Sequence, residues 1–232
     1  MIGRYFPSAS LLIGFLALFF LLPHPGDSAS EETGSEILIP LPQPELSGTL
    51  SLEECLAGRR SIRQFNSRAL TMDEISQLLW AGQGITSDWG GRTAPSAGAL
   101  YPIRLYLVVG AVDGLEPGVY LYEPSGHSLR EVICGDIRRD LKSAALDQEP
   151  VGNAPVSIVI TAIPSITEAK YGDRSMRYID NEAGCVAENI YLECESLGLG
   201  TVTIGAFYDD DVAALLGSEV SPRLIMPVGA RE

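Results

Sequence analysis

Between Ile179 and Leu197 apolar residues recur every three to four positions, at Ala183, Val186, Ala187, Ile190, Tyr191 and Cys194. That spacing predicts one long helix with a single buried stripe, ended by Gly198 and Gly200. A second helical pattern runs from Thr71 to about Gly82, with Ile75, Leu78, Leu79 and Trp80 on one face. It opens on Thr71 and Glu74, a capping box, and Ser51 with Glu54 repeats the device before a short helix to Ala57. Residues 136–146 and 209–216 read as further helices. Short β-branched runs read as buried strands at 103–109 and 156–162, with shorter strands at 119–122, 201–204 and 223–228. Helices and strands mix without a regular βαβ alternation, which predicts an α+β fold.

The first thirty residues follow another pattern. Arg4 precedes an unbroken apolar run from Leu11 to Leu22, then Pro23, Pro25 and small polar residues to Ser30. That is the layout of a secretory signal peptide, which predicts an exported protein. The alternative is an uncleaved N-terminal membrane anchor, if the apolar region starts near Tyr5. Residues 31–50 are rich in Glu, Pro, Ser and Gly and read as a linker or extended arm, so one domain is expected over residues 51–232.

Composition narrows the chemistry. The 232 residues carry 16 basic and 30 acidic side chains, a net charge of −14, which excludes a nucleic-acid backbone binder. Only His24 and His127 are present, too few for a multi-histidine metal site, and no metal is expected. His127 sits in a turn-like stretch and reads as a surface residue rather than a catalytic one. Cys55, Cys134, Cys185 and Cys194 form no CxxC pair. They read as buried free thiols, with disulfides to Cys55 or Cys134 left open.

Against this acidic background the segment Arg59-Arg60-Ser61-Ile62-Arg63 is conspicuous. Planar, multi-donor guanidiniums suit a phosphate, and Arg231 is a further basic candidate. A loop of small residues, Pro95-Ser96-Ala97-Gly98-Ala99-Leu100-Tyr101-Pro102, leads into a strand and lets a flat ligand or another backbone approach closely. The stretch from Gly198 to Phe207 ends a strand at Gly205, which either exposes backbone N–H groups or serves packing. Lys170 and Tyr171 stand side by side just before the long helix, as acid/base partners or as a polar helix entry.

The order RRSIRQF, PSAGALYP, KYGDRSMRY with NEAGCVAEN, GLGTVTIGAF and MPVG resembles the nitroreductase superfamily, over about residues 51–231. Within it, the pattern is most similar to the SagB-type, thiazoline/oxazoline oxidase-like dehydrogenase branch. The resemblance implies an α+β homodimer, its mainly antiparallel sheet flanked by helices, with FMN held between subunits. It implies that Arg59, Arg60, Ser61 and Arg63 bind the flavin phosphate, ribityl chain and ring edge, and that Arg231 also reaches the phosphate. Pro95, Ser96, Ala97 and Gly98 match a loop lent by the other subunit, and Gly205 and Ala206 match the strand end whose N–H approaches the flavin N5. Lys170 and Tyr171 match the pair that the azoline-oxidising branch places near its substrate.

Ala99 and Tyr101 replace the Asn and Gln of typical nitroreductases, which favours the SagB-type pattern. The sequence has no stretch like the N-terminal peptide-recognition domain of many azoline oxidases. The expectation is therefore an FMN-dependent oxidoreductase acting on a small or peptide-derived substrate. An NAD(P)H-dependent nitro or quinone reductase and a non-catalytic flavin-binding module are the alternatives.

Overall fold

A computed structural model describes residues 38–217 and 220–232. The expected signal segment and the start of the arm lie outside these residues. In chain order the elements are β1 (Leu38–Pro40), α1 (Leu52–Gly58), α2 (Met72–Gln83), β2 (Ile103–Val109), β3 (Gly118–Glu123), β4 (Ser128–Cys134), α3 (Arg138–Ala144), α4 (Glu149–Asn153), β5 (Val156–Ala162), α5 (Pro164–Tyr171), α6 (Ser175–Ser196), β6 (Leu199–Thr201), α7 (Asp209–Leu215) and β7 (Ser221–Ala230). The strands form one sheet in the order β1-β4-β3-β2-β5-β7-β6, and every neighbouring pair is antiparallel.

Strand alternation divides the sheet between two cores. Leu105, Leu107, Ile158, Ile160 and Met226 face one way and pack with Leu78 and Leu79 of α2 and Val186 and Ile190 of α6. Tyr106, Val108, Val159 and Ile225 face the other way, against Leu141, Val151, Val212 and Leu216 around α3, α4 and α7. Each fully buried Leu or Ile contributes about 1.5–3 kcal/mol. Helices on both faces explain why β5 has no solvent-facing side: all seven of its residues are buried.

Both capping boxes form, at Ser51 with Glu54 and at Thr71 with Glu74. Arg68 also grips Glu74 through two guanidinium nitrogens, at 3.0 and 2.8 Å. Trp80 departs from its expected buried face. It is half-buried and lines a groove of about 450 Å³ between residues 43–49, α2 and α6.

Four other expectations are corrected. The arm is part of the fold over its described portion: β1 pairs with β4, and Leu41 is buried. The helix expected at 136–146 is shorter, Arg138–Ala144, and a second short helix follows at Glu149–Asn153, beyond Leu146 and Asp147 in left-handed backbone. The strand expected at 201–204 is shifted to Leu199–Thr201, and Ile204 makes only an isolated bridge to Ile225. His127 is half-buried rather than on the surface. Its Nδ1 meets Tyr122 Oη at 2.9 Å, and its Nε2 meets Ser76 Oγ at 2.7 Å and the Pro42 carbonyl at 2.9 Å. Both ring nitrogens are engaged, so His127 ties the arm to α2 and β3. All four cysteines are free; Cys55 and Cys194 are buried, Cys185 is half-buried and Cys134 is exposed.

Candidate active site

Two groups of the expected site residues gather on α6, at different levels. The first surrounds its C-terminal half. After α1, residues 61–66 run beside the β6/β7 edge as an irregular extra strand. The Ile62 N–H donates to the Thr201 carbonyl at 2.8 Å, and the Asn66 N–H donates to the Ala230 carbonyl at 3.0 Å. The close approach depends on glycine: a Cβ on Gly200 would lie 2.6 Å from Ile62, and one on Gly229 would lie 2.8 Å from Phe65.

This path sets Ser61 Oγ 3.2 Å from Tyr191 Oη. The same phenol accepts the Thr203 N–H at 2.8 Å and lies 3.3 Å from Thr203 Oγ1. The Arg59 guanidinium stacks over the Tyr191 ring at 5.1 Å and stands 4.0 Å from Glu188. Arg60 and Arg63 are exposed; Arg60 bends back to the carbonyls of Ala57 and Arg59. Three guanidiniums and three hydroxyls thus share one edge of the molecule, a donor set suited to a phosphate and a polyol chain.

Arg231 is bound differently. Its Nε donates to the Leu199 carbonyl at 2.8 Å, and its other nitrogens pair with Glu195, whose side chain is 11% exposed. An anion would have to draw Arg231 away from that carboxylate.

The second group lies at the N-terminal half of α6. Lys170 and Tyr171 end α5, a helix absent from the sequence expectation because PSITEAKY shows little amphipathic pattern. They converge on the loop 95–102. A Cβ on Gly98 would lie 2.6 Å from Lys170 Nζ and 2.7 Å from Tyr171 Oη. Lys170 Nζ is 5.4 Å from the centre of the Tyr171 ring, which packs edge-on against Tyr178 at 4.8 Å. Pro95, Ser96, Ala97 and Gly98 are each at least partly accessible. The structure therefore joins the small-residue loop to the Lys-Tyr pair.

Gly205 and Ala206 are exposed, beyond the bridge from Ile204 to Ile225. The Ala206 carbonyl is held by Gln148 Nε2 at 2.9 Å. A Cβ on Gly205 would meet only Leu224, at 3.8 Å. Packing within the chain therefore does not demand glycine there, and the backbone stays open to an outside ligand.

The 56–230 stretch matches the family model described as the nitroreductase family. The chain belongs to the nitroreductase family. Its relatives include the Methanocaldococcus jannaschii protein named nitroreductase MJ1384, which is 42% identical over 198 residues, 85% of this chain and 98% of that one. A solved structure from Anabaena variabilis, titled as a nitroreductase, superposes with a TM-score of 0.70 at 33% identity. That match takes in 78% of this chain but only 38% of the other. Trifolitoxin operon protein TfxC of Rhizobium leguminosarum bv. trifolii is 24% identical, over 85% of this chain and 60% of its own length.

Several residues join this site without a sequence motif that marks them. Tyr191 and Thr203 organise the Arg59 side, and Glu195 holds Arg231. Glu182, buried at 3% exposure on α6, lies under the loop. Its signal was legible: a carboxylate between Ile179 and Ala183 on an otherwise apolar stripe.

Proposed function

We propose that this nitroreductase-family protein is an FMN-dependent oxidoreductase of the SagB-type dehydrogenase branch, acting on a small or peptide-derived substrate. The observation that carries the reading is the convergence of Lys170 and Tyr171 on Gly98, together with the exposed arginines around Ser61 and Tyr191. The donor set fits FMN: Arg59, Arg60 and Arg63 would hold the phosphate, Ser61 would reach the ribityl chain, and the open backbone at Gly205 and Ala206 would meet the ring. A bound FMN would supply two-electron redox chemistry at this edge. Lys170 Nζ and Tyr171 Oη would hold or move the proton that accompanies that chemistry at the substrate.

The two groups are separated on one chain. Glu182, beneath the loop, and Tyr191, beside Arg59, are nine residues apart on α6, about 14 Å along its axis at 1.5 Å per residue. A homodimer would bring the loop of one subunit to the arginine edge of the other. Leu50 and Leu52 support this, because they expose 41% and 60% of their surface beside α6. Relationship to a protein of a toxin operon agrees with a biosynthetic oxidation.

Residues 1–30 are proposed as an export signal. Among the described residues no helix is long and apolar enough to cross a membrane.

A second reading, reduction of nitro compounds or quinones with NAD(P)H, is favoured by the relatives named nitroreductases. Stopped-flow spectra of the FMN-loaded protein separate the two. Bleaching of the flavin by a thiazoline probe, lost in Lys170→Ala, supports the dehydrogenase. Bleaching by NADH alone, unchanged in Lys170→Ala, supports the reductase and contradicts the first reading.

A further inference from the structure

The first turn of α6 carries charge of the wrong sign for a helix entry. The positive end of a helix dipole favours acids, and α1 and α2 open on Glu53 with Glu54 and on Asp73 with Glu74. α6, the longest described helix at 22 residues, has no acid in its first turn and no side-chain cap. Arg174 is its N-cap and Arg177 stands in its first turn. Cations at that end destabilise the helix, so helix stability does not account for them.

Both guanidiniums are exposed, and among the described residues neither has an ion-pair or hydrogen-bond partner. Carboxylates are near in sequence. Asp180 is taken by Arg223 at 2.6 Å, and Glu168 and Asp173 are exposed without pairing to either arginine. Elsewhere Arg68, Arg138 and Arg231 each hold a carboxylate.

The two arginines stand beside the Lys-Tyr pair. Arg174, Arg177 and Tyr178 are three and four positions apart and share one face of α6. Tyr178 takes the edge-on contact of the Tyr171 ring, 4.8 Å between centres. Gly172, at φ 52°, turns the chain from α5 into α6, and Lys170 lies exposed just before it. Helical side chains lean toward the N-terminus, so both guanidiniums reach toward that turn. Tyr191, beside Arg59, lies 14 residues beyond Arg177 on α6. That is about 21 Å along the axis, so on one chain no single phosphate spans both arginine groups.

We propose that Arg174 and Arg177 form a carboxylate subsite, so that the ring oxidised beside Lys170 and Tyr171 belongs to a small heterocyclic carboxylic acid. Planar, multi-donor guanidiniums match a two-oxygen anion. A thiazoline made from a free amino acid carries such a carboxylate, whereas one inside a peptide carries a neutral amide in its place. The proposal rests on the reading of Lys170 and Tyr171 as the proton-handling pair, and it selects the small substrate over the peptide.

The chain holds two lysines, Lys142 and Lys170, which supply a reporter independent of turnover. Lys142 pairs with Glu149 at 2.8 Å and serves as the internal reference. The ligand is a thiazole carboxylate, already oxidised and unreactive, with its carboxamide as control. The full chain is methylated reductively with and without FMN, and peptide mass spectrometry reads the Lys170/Lys142 ratio. Saturating thiazole carboxylate should lower that ratio about threefold or more, because a nearby anion favours the charged, unreactive ammonium. The carboxamide should not lower it, and Arg174→Gln combined with Arg177→Gln should abolish the protection. In the FMN-loaded protein, each single variant should cut the kcat/KM preference for a thiazoline carboxylate over its carboxamide by about tenfold or more, through KM.

Folding is not at risk, because each substitution removes a cation from the positive end of a helix, and melting temperatures should not fall. Folded variants that keep the protection, equal losses for carboxylate and carboxamide, or a parent that shows no protection in either state overturn the proposal. A loss of FMN affinity in the variants also overturns it, since that assigns the arginines to the flavin phosphate. A parent that binds no FMN, or turns over neither thiazoline, counts against the proposed function, and labelling of the flavin-free chain still decides the subsite.

Discussion

Replacing Gly98 by Ala separates the conformational and steric parts of the site. At φ 64° an alanine is strained by about 1–2 kcal/mol. In a domain of this size, that lowers the melting temperature by roughly 2–4 °C per kcal/mol. Gly114→Ala carries the same kind of strain, at φ 82°, with nothing within 4 Å of the new methyl group. At Gly98 the methyl would also stand 2.6 Å from Lys170 Nζ and 2.7 Å from Tyr171 Oη. Carbon contacts relax to about 3.5 Å, so one or both groups must retreat by nearly 1 Å. The lysine end is flexible and moves cheaply, which protects stability. A displacement of that size at reacting groups lowers turnover by about 10²-fold. The assay pairs thermal unfolding with probe turnover of FMN-loaded protein for both variants. The expected outcome is matched losses of stability and a selective loss of turnover in Gly98→Ala. Equal turnover in the two variants would refute the placement of Lys170 and Tyr171 against the loop.

Other outcomes follow from groups that hold the frame. Burial alone would raise the Glu74 carboxyl, but its bonds from Arg68 and Thr71 bring it below the ordinary value of 4.5. Its stabilisation is therefore complete above pH 4.5 and is lost as pH falls through the depressed value; Glu74→Gln should lower stability at pH 7 by about 1–2 kcal/mol in urea titrations and flatten that acid slope. His127 is pushed below 6.5 by burial, against the opposing bond to Pro42. Below pH 6.5 the unfolded chain takes up the proton first, so stability should fall between pH 6.5 and the lower folded value, and His127→Gln should remove that component in paired urea midpoints. Arg231→Ala should lower the melting temperature with little change in FMN affinity, because its guanidinium is held by Glu195 and Leu199. Arg59→Ala should do the reverse, and isothermal titration at two salt concentrations checks both.

The parts of the fold that announce themselves in sequence are those governed by one dominant force. β2 and β5 are buried on both faces, so their apolar runs match the observed strands residue for residue. α2 and α6 carry strong stripes, and the two capping boxes are local hydrogen-bond chemistry that needs no tertiary information. β4 escaped because Arg130 and Glu131 interrupt it, and only pairing with β3 makes it a strand. α6 begins four residues before the apolar stripe, at Ser175, because Met176 and Arg177 in its first turn are exposed and carry no apolar pattern. The Arg59–Arg63 cluster and the Lys170-Tyr171 pair were legible as chemistry. Their partners were not: Tyr191 lies 130 residues from Ser61 and meets it only after the chain crosses β6. The engagement of Arg231 by Glu195 likewise depends on α6 and β7 packing together, which no local pattern encodes.

The proposed FMN site is made by two copies of this chain. Sedimentation of the purified, FMN-reconstituted protein, followed at the flavin absorption band, tests it most directly. Flavin should co-sediment with a dimer at one FMN per chain. A folded protein that stays colourless after reconstitution, or a monomer that carries the flavin alone, would contradict it.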